Sequence, residues 1–79
     1  MASYRLEIKR SAAKELERRV VSRIRALAED PRPAGAEKLS GRERYRVRQG
    51  DYRILYEISD DVLLIVVVKI GNRRDGYRK

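Results

Sequence analysis

Two residue types on which much site chemistry depends are missing from this chain of 79 residues. It has no cysteine, which excludes a disulfide framework and a thiolate metal site. It has no histidine either, which removes most zinc chemistry and the usual general base near neutral pH. The sequence therefore predicts no metal site and no cofactor, and it favours an intracellular setting.

Long apolar segments are missing as well. Residues 1–10 alternate polar and apolar side chains and lack the apolar centre of a signal peptide. The longest apolar run, residues 62–68, is far shorter than the roughly 20 residues that span a bilayer. We therefore expect a soluble, cytoplasmic protein that has no membrane partner.

Positive charge is what the chain has in excess. Its 20 Lys+Arg against 12 Asp+Glu give a net charge of +8, and fifteen of the twenty basic residues are arginine. Arginine binds phosphate through a planar fork of donors, so the excess indicates a polyanionic partner, although a solvated basic surface also fits a high pI. A chain of this length predicts a single domain, 1–79, of modest stability.

The first half of the chain predicts a strand, a helix and a loop. Residues 4–9 alternate in the manner of a half-buried strand. Apolar residues then recur at steps of three and four from Ala13 to Leu27, which predicts one unbroken helix with Ser11 as its N-cap. Residues 31–43 carry proline and glycine and predict a surface loop.

The second half predicts a hairpin followed by a central strand. Residues 44–49 and 52–58 alternate with a period of two around Gly50-Asp51, which is typical of two strands joined by a tight turn. Residues 62–68 are apolar throughout and predict a strand buried on both faces. One face of the hairpin then holds the apolar side chains Tyr45, Val47, Tyr52, Ile54 and Tyr56.

The other face of the predicted hairpin gathers arginines. With the turn centred on Gly50-Asp51, cross-strand partners have numbers that sum to 101, so Arg48 faces Arg53 and Arg46 lies on the same side. Like charges opposite each other destabilise a sheet. A chain that keeps them there has an anion to bind, and phosphate fits best.

Three stretches together carry a family resemblance. Residues 38–41 (Lys-Leu-Ser-Gly), 45–58 and 70–78 resemble the RelE/ParE superfamily of bacterial toxin–antitoxin toxins, on the RelE side, and the likeness runs from about residue 3 to residue 78. The resemblance implies an α+β fold, with an N-terminal strand and a helix, or a short helical pair, packed on an antiparallel sheet of about four strands. It also implies metal-independent cleavage of mRNA in the ribosomal A site and an acidic antitoxin partner.

The resemblance also implies which residues form the active surface. In the superfamily this surface consists of basic residues on the sheet with an arginine and a tyrosine near the C-terminus. Carried over by position, the catalytic candidates are Arg46, Arg48, Arg53, Arg73 and Tyr77. The candidates for binding RNA are Lys38, Arg42, Arg44, Arg74 and Arg78.

The chemistry of these residues does not identify the general base of the reaction. Guanidinium groups can stabilise charge on a phosphate that is attacked by the neighbouring 2′-OH. Where relatives carry lysines this chain has Arg46 and Arg48, and arginine is effectively never deprotonated. The base is then Tyr77, Lys69, a ribosomal group, or absent.

Two other classes of function remain open. A toxin of the ParE type inhibits DNA gyrase by contact and cuts no RNA. An inactive basic module would only bind an antitoxin or nucleic acid. The four arginines and Tyr77 favour the endoribonuclease, because a toxin that acts only by binding does not need these residue types at the catalytic positions.

Overall fold

Two helices pack on one face of a five-stranded sheet in this protein. The computed structural model describes residues 3–14, 16–39 and 43–72. Within them the strand order is β1-β5-β4-β3-β2, with β1 parallel to β5 and the other pairs antiparallel. The elements in chain order are β1 (Arg5–Ile8), α1 (Arg10–Ala13), α2 (Arg18–Glu29), β2 (Glu37–Leu39), β3 (Arg44–Gln49), β4 (Tyr52–Ser59), a 3₁₀ turn (Asp60–Val62) and β5 (Leu64–Asn72).

The fold class predicted from the sequence is confirmed, with a mixed sheet of five strands where about four antiparallel ones were expected. The difference comes from β2 and from the parallel pairing of β1. Strand β5 lies between β1 and β4, as predicted for a central strand, but it begins at Leu64 rather than at residue 62, and Val62 is 56% exposed. Its fully buried residues alternate along the strand, so the prediction of burial on both faces is wrong. No helix in the described part of the chain is long and apolar enough to cross a membrane.

The single helix predicted for residues 13–27 is wrong, because the chain breaks between α1 and α2. The break is set by Glu17, whose carboxylate accepts hydrogen bonds from the backbone N–H groups of Arg19 at 2.8 Å and Val20 at 3.2 Å. Desolvation raises the pKa of Glu17, but these hydrogen bonds lower it overall. An N-cap of this kind fixes the start of a helix.

The break also changes which residues are buried. Ser11, predicted as the N-cap, lies inside α1 and donates its hydroxyl to the backbone carbonyl of Val68 at 2.9 Å. Ala12 is buried in place of Ala13, and Leu16 is 41% exposed. The predicted apolar stripe therefore applies only to α2, where its members do face the sheet.

The core lies between the helices and one face of the sheet. This is the face for which the sequence predicted the apolar side chains of the hairpin. Tyr45 and Tyr56 are cross-strand partners, as the sequence predicted, and their rings stack at 5.9 Å. The Tyr56 hydroxyl donates to the carbonyl of Pro31 at 2.7 Å, and burial raises the pKa of Tyr56 to about 12. The other buried members are Ala12, Val20, Ile24, Leu27, Val47, Ile54, Ile58, Ile65, Val67 and Ile70.

The segment predicted as a loop, residues 31–43, contains the edge strand β2. In it Glu37 pairs with Arg46 and Leu39 pairs with Arg44 of β3. Three residues are too few to show a period of two, so the pairing partner rather than the local pattern makes this a strand. The prediction of an irregular loop is therefore wrong at β2.

Arg32 ties the segment after α2 to the sheet. Its guanidinium group donates to the Tyr45 hydroxyl, to Glu43 and to Asp60, each at 2.9 Å. The hydroxyl of Tyr4 donates to the same aspartate at 2.5 Å. This cluster joins the segment after α2 to the residues that flank the β3–β4 hairpin, Glu43 before it and Asp60 after it.

The Arg32 cluster predicts a loss of stability in acid. Hydrogen bonds from Arg32 hold the pKa of Asp60 and of Glu43 below their ordinary values of 3.8 and 4.5. A carboxyl whose pKa is lowered by folding stabilises the fold above its unfolded pKa, and this contribution is lost as the pH falls through the folded pKa.

Thermal melts from about pH 7 to about pH 3 would measure this effect. We expect Arg32→Met to melt lower at neutral pH and to lose less stability on acidification than the wild type. Parallel pH curves for the two proteins would contradict the assignment of the acid sensitivity to this cluster.

The corrected helix predicts a contrast between two apolar residues. Ile24 is 1% exposed, so Ile24→Ala should cost about 2–5 kcal/mol of unfolding free energy. Leu16→Ala should cost about 0.5 kcal/mol or less, since its side chain lies at the surface. Urea denaturation measures both, and equal losses would mean that Leu16 packs in the core as the sequence suggested.

Candidate functional site

The β3–β4 hairpin has the register that its sequence predicts. Arg48 pairs with Arg53 and Arg46 pairs with Leu55. The turn depends on Gly50, whose φ of 59° lies in the left-handed region that glycine adopts readily. Because opposed residues share a face, the three arginines stand together on the side of the sheet away from the helices.

These arginines line a cavity of about 450 Å³, formed by Gly35, Glu37, Arg46, Arg48 and Arg53, which we call the arginine pocket. Arg48 and Arg53 are exposed and Arg46 is half-buried. Within the described part of the chain, Arg48 and Arg53 form no salt bridge. The pocket thus presents to solvent two guanidinium groups that have no salt-bridge partner among the described residues.

A carboxylate that the sequence did not indicate as functional completes the arginine pocket. Glu37 lies opposite Arg46 on β2, and its Oε1 accepts hydrogen bonds from Nε of Arg46 at 3.1 Å and from Nη2. These hydrogen bonds, with the charges of Arg48 and Arg53, lower the pKa of Glu37. Only the β2–β3 register brings Glu37 here, and a loop prediction could not supply that register.

The two described candidates for RNA binding lie outside the pocket. Arg44 shares the face of the arginines, but its Nε donates to Glu57 at 3.0 Å. Lys38 lies on the opposite face, beside Tyr45, and its Nζ donates to Glu43 at 3.1 Å, which raises the pKa of Lys38. The structure therefore does not bring these two cations together with the pocket.

Of the remaining candidate residues, the structure describes only Lys69. Lys69, one of the alternatives for the base, is exposed on β5 and shares a row of the sheet with Leu55 and Arg46. The other predicted residues lie outside the described residues, and their roles stay predictions; they are Arg42, Arg73, Arg74, Tyr77 and Arg78.

The arrangement is suited to binding a phosphodiester. Three guanidinium groups and one carboxylate leave the pocket with a net positive charge, and guanidinium donors match the geometry of phosphate oxygens. Glu37 neutralises Arg46 and fixes its orientation. Arg48 and Arg53, which form no salt bridge with any residue that the structure describes, remain available for an anion.

The opposed pair of arginines predicts an unusual response to truncation. Like charges facing each other across a sheet cost up to about 1 kcal/mol, so Arg48→Ala and Arg53→Ala should fold and melt no lower than the wild type. Any gain should be larger at low salt, where screening is weaker.

Arg44→Ala is the matched control for these variants. It comes from the same face, but it leaves Glu57 without its partner and should melt lower. Melting temperatures at two salt concentrations provide the measurement. Unfolding of the Arg53 variant would show that this arginine is structural.

The sequence matches the model of a toxin family over almost its whole length. Residues 2–77 match the ParE toxin of the type II toxin–antitoxin system, parDE. No curated protein matches the sequence significantly.

Solved structures of similar fold come from an archaeon and from bacteria. The chain is similar to a chain of the archaeal RelE–RelB complex from Pyrococcus horikoshii OT3, at 27% identity and a TM-score of 0.78, covering 98% of this chain and 99% of that one. It has the fold of a chain of the Mycobacterium tuberculosis RelBE2 complex, at 22% identity and a TM-score of 0.72, covering 92% and 94%. It also has the fold of a chain of the E. coli RelBE complex, at 19% identity and a TM-score of 0.74, covering 89% and 96%.

These matches agree with the α+β fold, with the arginine-bearing hairpin and with the resemblance that the sequence itself carries. The family model covers more than nine-tenths of the chain. The chain belongs to the ParE toxin family of the RelE/ParE superfamily, and it is a toxin of a type II toxin–antitoxin system.

Proposed function

We propose that this toxin is a metal-independent, ribosome-dependent endoribonuclease that cleaves mRNA in the A site. The observation that carries the proposal is the arginine pocket, in which Arg46, Arg48 and Arg53 lie together on one face of the β3–β4 hairpin. Two of these cations are left without a salt bridge in the described structure, at a cost in stability that a phosphate ligand would relieve.

The pocket suits cleavage by the neighbouring 2′-OH of RNA. In that reaction negative charge builds up on the phosphoryl oxygens as the fifth bond to phosphorus forms. Fixed guanidinium groups stabilise this charge without reorganising. A small open surface such as this holds little of the substrate itself, so the ribosome supplies the alignment of the message.

The proposal extends to residues that the structure does not describe. By the superfamily resemblance Arg73 adds a further cation, and Tyr77 stacks on a base or transfers a proton. The basic residues outside the pocket are proposed to contact RNA away from the cleaved bond, Lys38 from the opposite face of the sheet; this group consists of Lys38, Arg42, Arg44, Arg74 and Arg78.

An acidic antitoxin is the proposed partner, and the cytoplasm, where ribosomes work, is the proposed location. The similar chains from Pyrococcus horikoshii, Mycobacterium tuberculosis and E. coli were each solved in a complex of RelE and RelB type. The net charge of +8 of this chain favours an acidic partner that neutralises the arginine face.

Inhibition of DNA gyrase is the second candidate function. The observation that favours it is the family match, which is to the ParE toxin. A toxin of this kind acts by contact and has no need of a phosphate-binding pocket that includes a fixed carboxylate. We therefore rank it below cleavage of mRNA.

Primer extension on mRNA from cells that express the toxin in a short pulse separates the two candidates. We expect cuts within coding regions, and we expect Arg48→Ala and Arg53→Ala each to reduce cleavage by roughly 10²–10³-fold, as loss of one oxyanion donor does in other enzymes. Both variants should relieve growth arrest.

Arg25→Ala is the control for these variants, because Arg25 is an exposed arginine on α2, away from the sheet's arginine face. It should arrest growth like the wild type. Growth arrest with intact mRNA, together with loss of supercoiling by purified gyrase, would replace the endoribonuclease with the gyrase inhibitor.

A further inference from the structure

A second cavity lies on the other side of the β3–β4 hairpin tip, towards the helices. It has a volume of about 170 Å³ and lies between the turn of the hairpin and the start of α2; we call it the tip cavity. Its lining residues are Glu17, Arg19, Gln49, Gly50, Asp51 and Tyr52. None of them lines the arginine pocket, and the proposed function gives this cavity no role.

The hairpin places the two cavities back to back. Arg48 and Arg53 oppose each other on the arginine face, whereas Gln49 and Tyr52 oppose each other on the face of the helices. The space beside Gly50 at the tip is open. Consecutive residues have Cα atoms only about 3.8 Å apart. An RNA strand held by the two arginines can therefore round the tip and place a base in the tip cavity.

The charge of the tip cavity differs from that of the arginine pocket. Its one cation, Arg19, forms a salt bridge with Glu17 at 3.3 Å. Asp51 is exposed and has no salt-bridge or hydrogen-bond partner for its side chain among the described residues. An ionised carboxylate only accepts hydrogen bonds. The cavity is therefore unsuited to phosphate and suited to a neutral group that donates hydrogen bonds.

The other lining groups match the parts of a nucleobase. Tyr52 is half-buried and packs against the core, so its ring is a fixed surface on which a base can stack. The Gln49 amide, which can both donate and accept, has no side-chain partner in the described part of the chain. Proteins read unpaired RNA bases by stacking on an aromatic ring and by hydrogen bonds to the base edge.

We propose that the tip cavity binds a guanine base of the RNA near the cleaved bond, an inference that rests on the proposed function for its choice of RNA. Guanine carries two neighbouring donors, N1–H and the N2 amino group, which match the two oxygens of one carboxylate. On adenine and cytosine an acceptor nitrogen lies beside the amino group, and on uracil the N3–H lies between two carbonyl oxygens. Asp51 therefore selects guanine, and Gln49 can donate to its O6.

The chain contains a matched control for Asp51. Asp61 is likewise an exposed aspartate in a turn, but it follows β4 where Asp51 precedes it. Asp61 lines neither the tip cavity nor the arginine pocket. Asp51→Asn and Asp61→Asn remove the same charge, so a mere loss of charge affects RNA binding alike. Only Asp51→Asn places an amide donor against the donors of guanine.

Binding of short oligonucleotides to the purified toxin provides the test and needs no ribosome. One oligouridylate carries a central guanosine, and its twin carries inosine, which lacks only the N2 amino group. Methylated 2′ oxygens prevent cleavage of both. In fluorescence anisotropy the wild type should bind the guanosine oligonucleotide roughly tenfold more tightly, the effect of one hydrogen bond to a charged group.

The variants assign this preference to the tip cavity. Asp51→Asn should bind the two oligonucleotides equally, and Asp61→Asn should prefer guanosine as the wild type does. Arg48→Ala should weaken binding of both by the same factor, because its guanidinium group meets phosphate. The comparison with inosine needs no variant, so it holds whatever a substitution does to the fold.

Each outcome decides the proposal separately from the endoribonuclease. Equal binding of the two oligonucleotides by the wild type, or no binding, would overturn the guanine site even if mRNA is cleaved on the ribosome. A preference that survives in Asp51→Asn would overturn it too. A preference lost in Asp51→Asn, with mRNA left intact on the ribosome, would keep the site and remove the endoribonuclease. If Asp51→Asn weakens only the complex with the antitoxin, the cavity belongs to that interface and the proposal is wrong.

Discussion

The register of the β3–β4 hairpin is the constraint on which both the core and the arginine pocket depend. With Arg48 opposite Arg53, every tyrosine and β-branched residue of the two strands faces the helices and every arginine faces away. A slip of one residue would turn the arginines into the core. Burial of Tyr56 and Ile54 in the core fixes the register between β3 and β4. That register in turn places the arginines side by side on the other face.

The arginine face carries its charge in two ways. Arg44 and Arg46 are each paired with a carboxylate from a neighbouring strand, whereas Arg48 and Arg53 oppose each other. The Arg46–Glu37 pair is the more exposed of the two and adds little stability, so it serves orientation more than cohesion. The opposed pair weakens the sheet where the ligand would bind, a common feature of sites that keep function at the expense of stability.

The sequence predicted the elements whose residues follow a periodic pattern. The alternation of polar and apolar residues predicted the β3–β4 hairpin and its register, and the spacing of apolar residues by three and four predicted the buried face of α2. The break before α2 could not be predicted from that pattern, because it depends on one capping carboxylate, Glu17, and a helical spacing of apolar residues happens to continue across it. Similarly, β2 is three residues long and becomes a strand only through its partner, so Glu37 in the pocket could not be foreseen.

The parallel pairing of β1 with β5 has a consequence for how the protein is made. Arg5 pairs with Leu64, so the sheet joins one of the first described segments to the last one. Strand β5 is then the last of the described strands to be synthesised; until it appears β1 has no partner in the sheet and β4 is paired on one side only. Contacts so distant in sequence slow folding. During synthesis the sheet therefore stays incomplete, and β1 joins it only after β5 has been made.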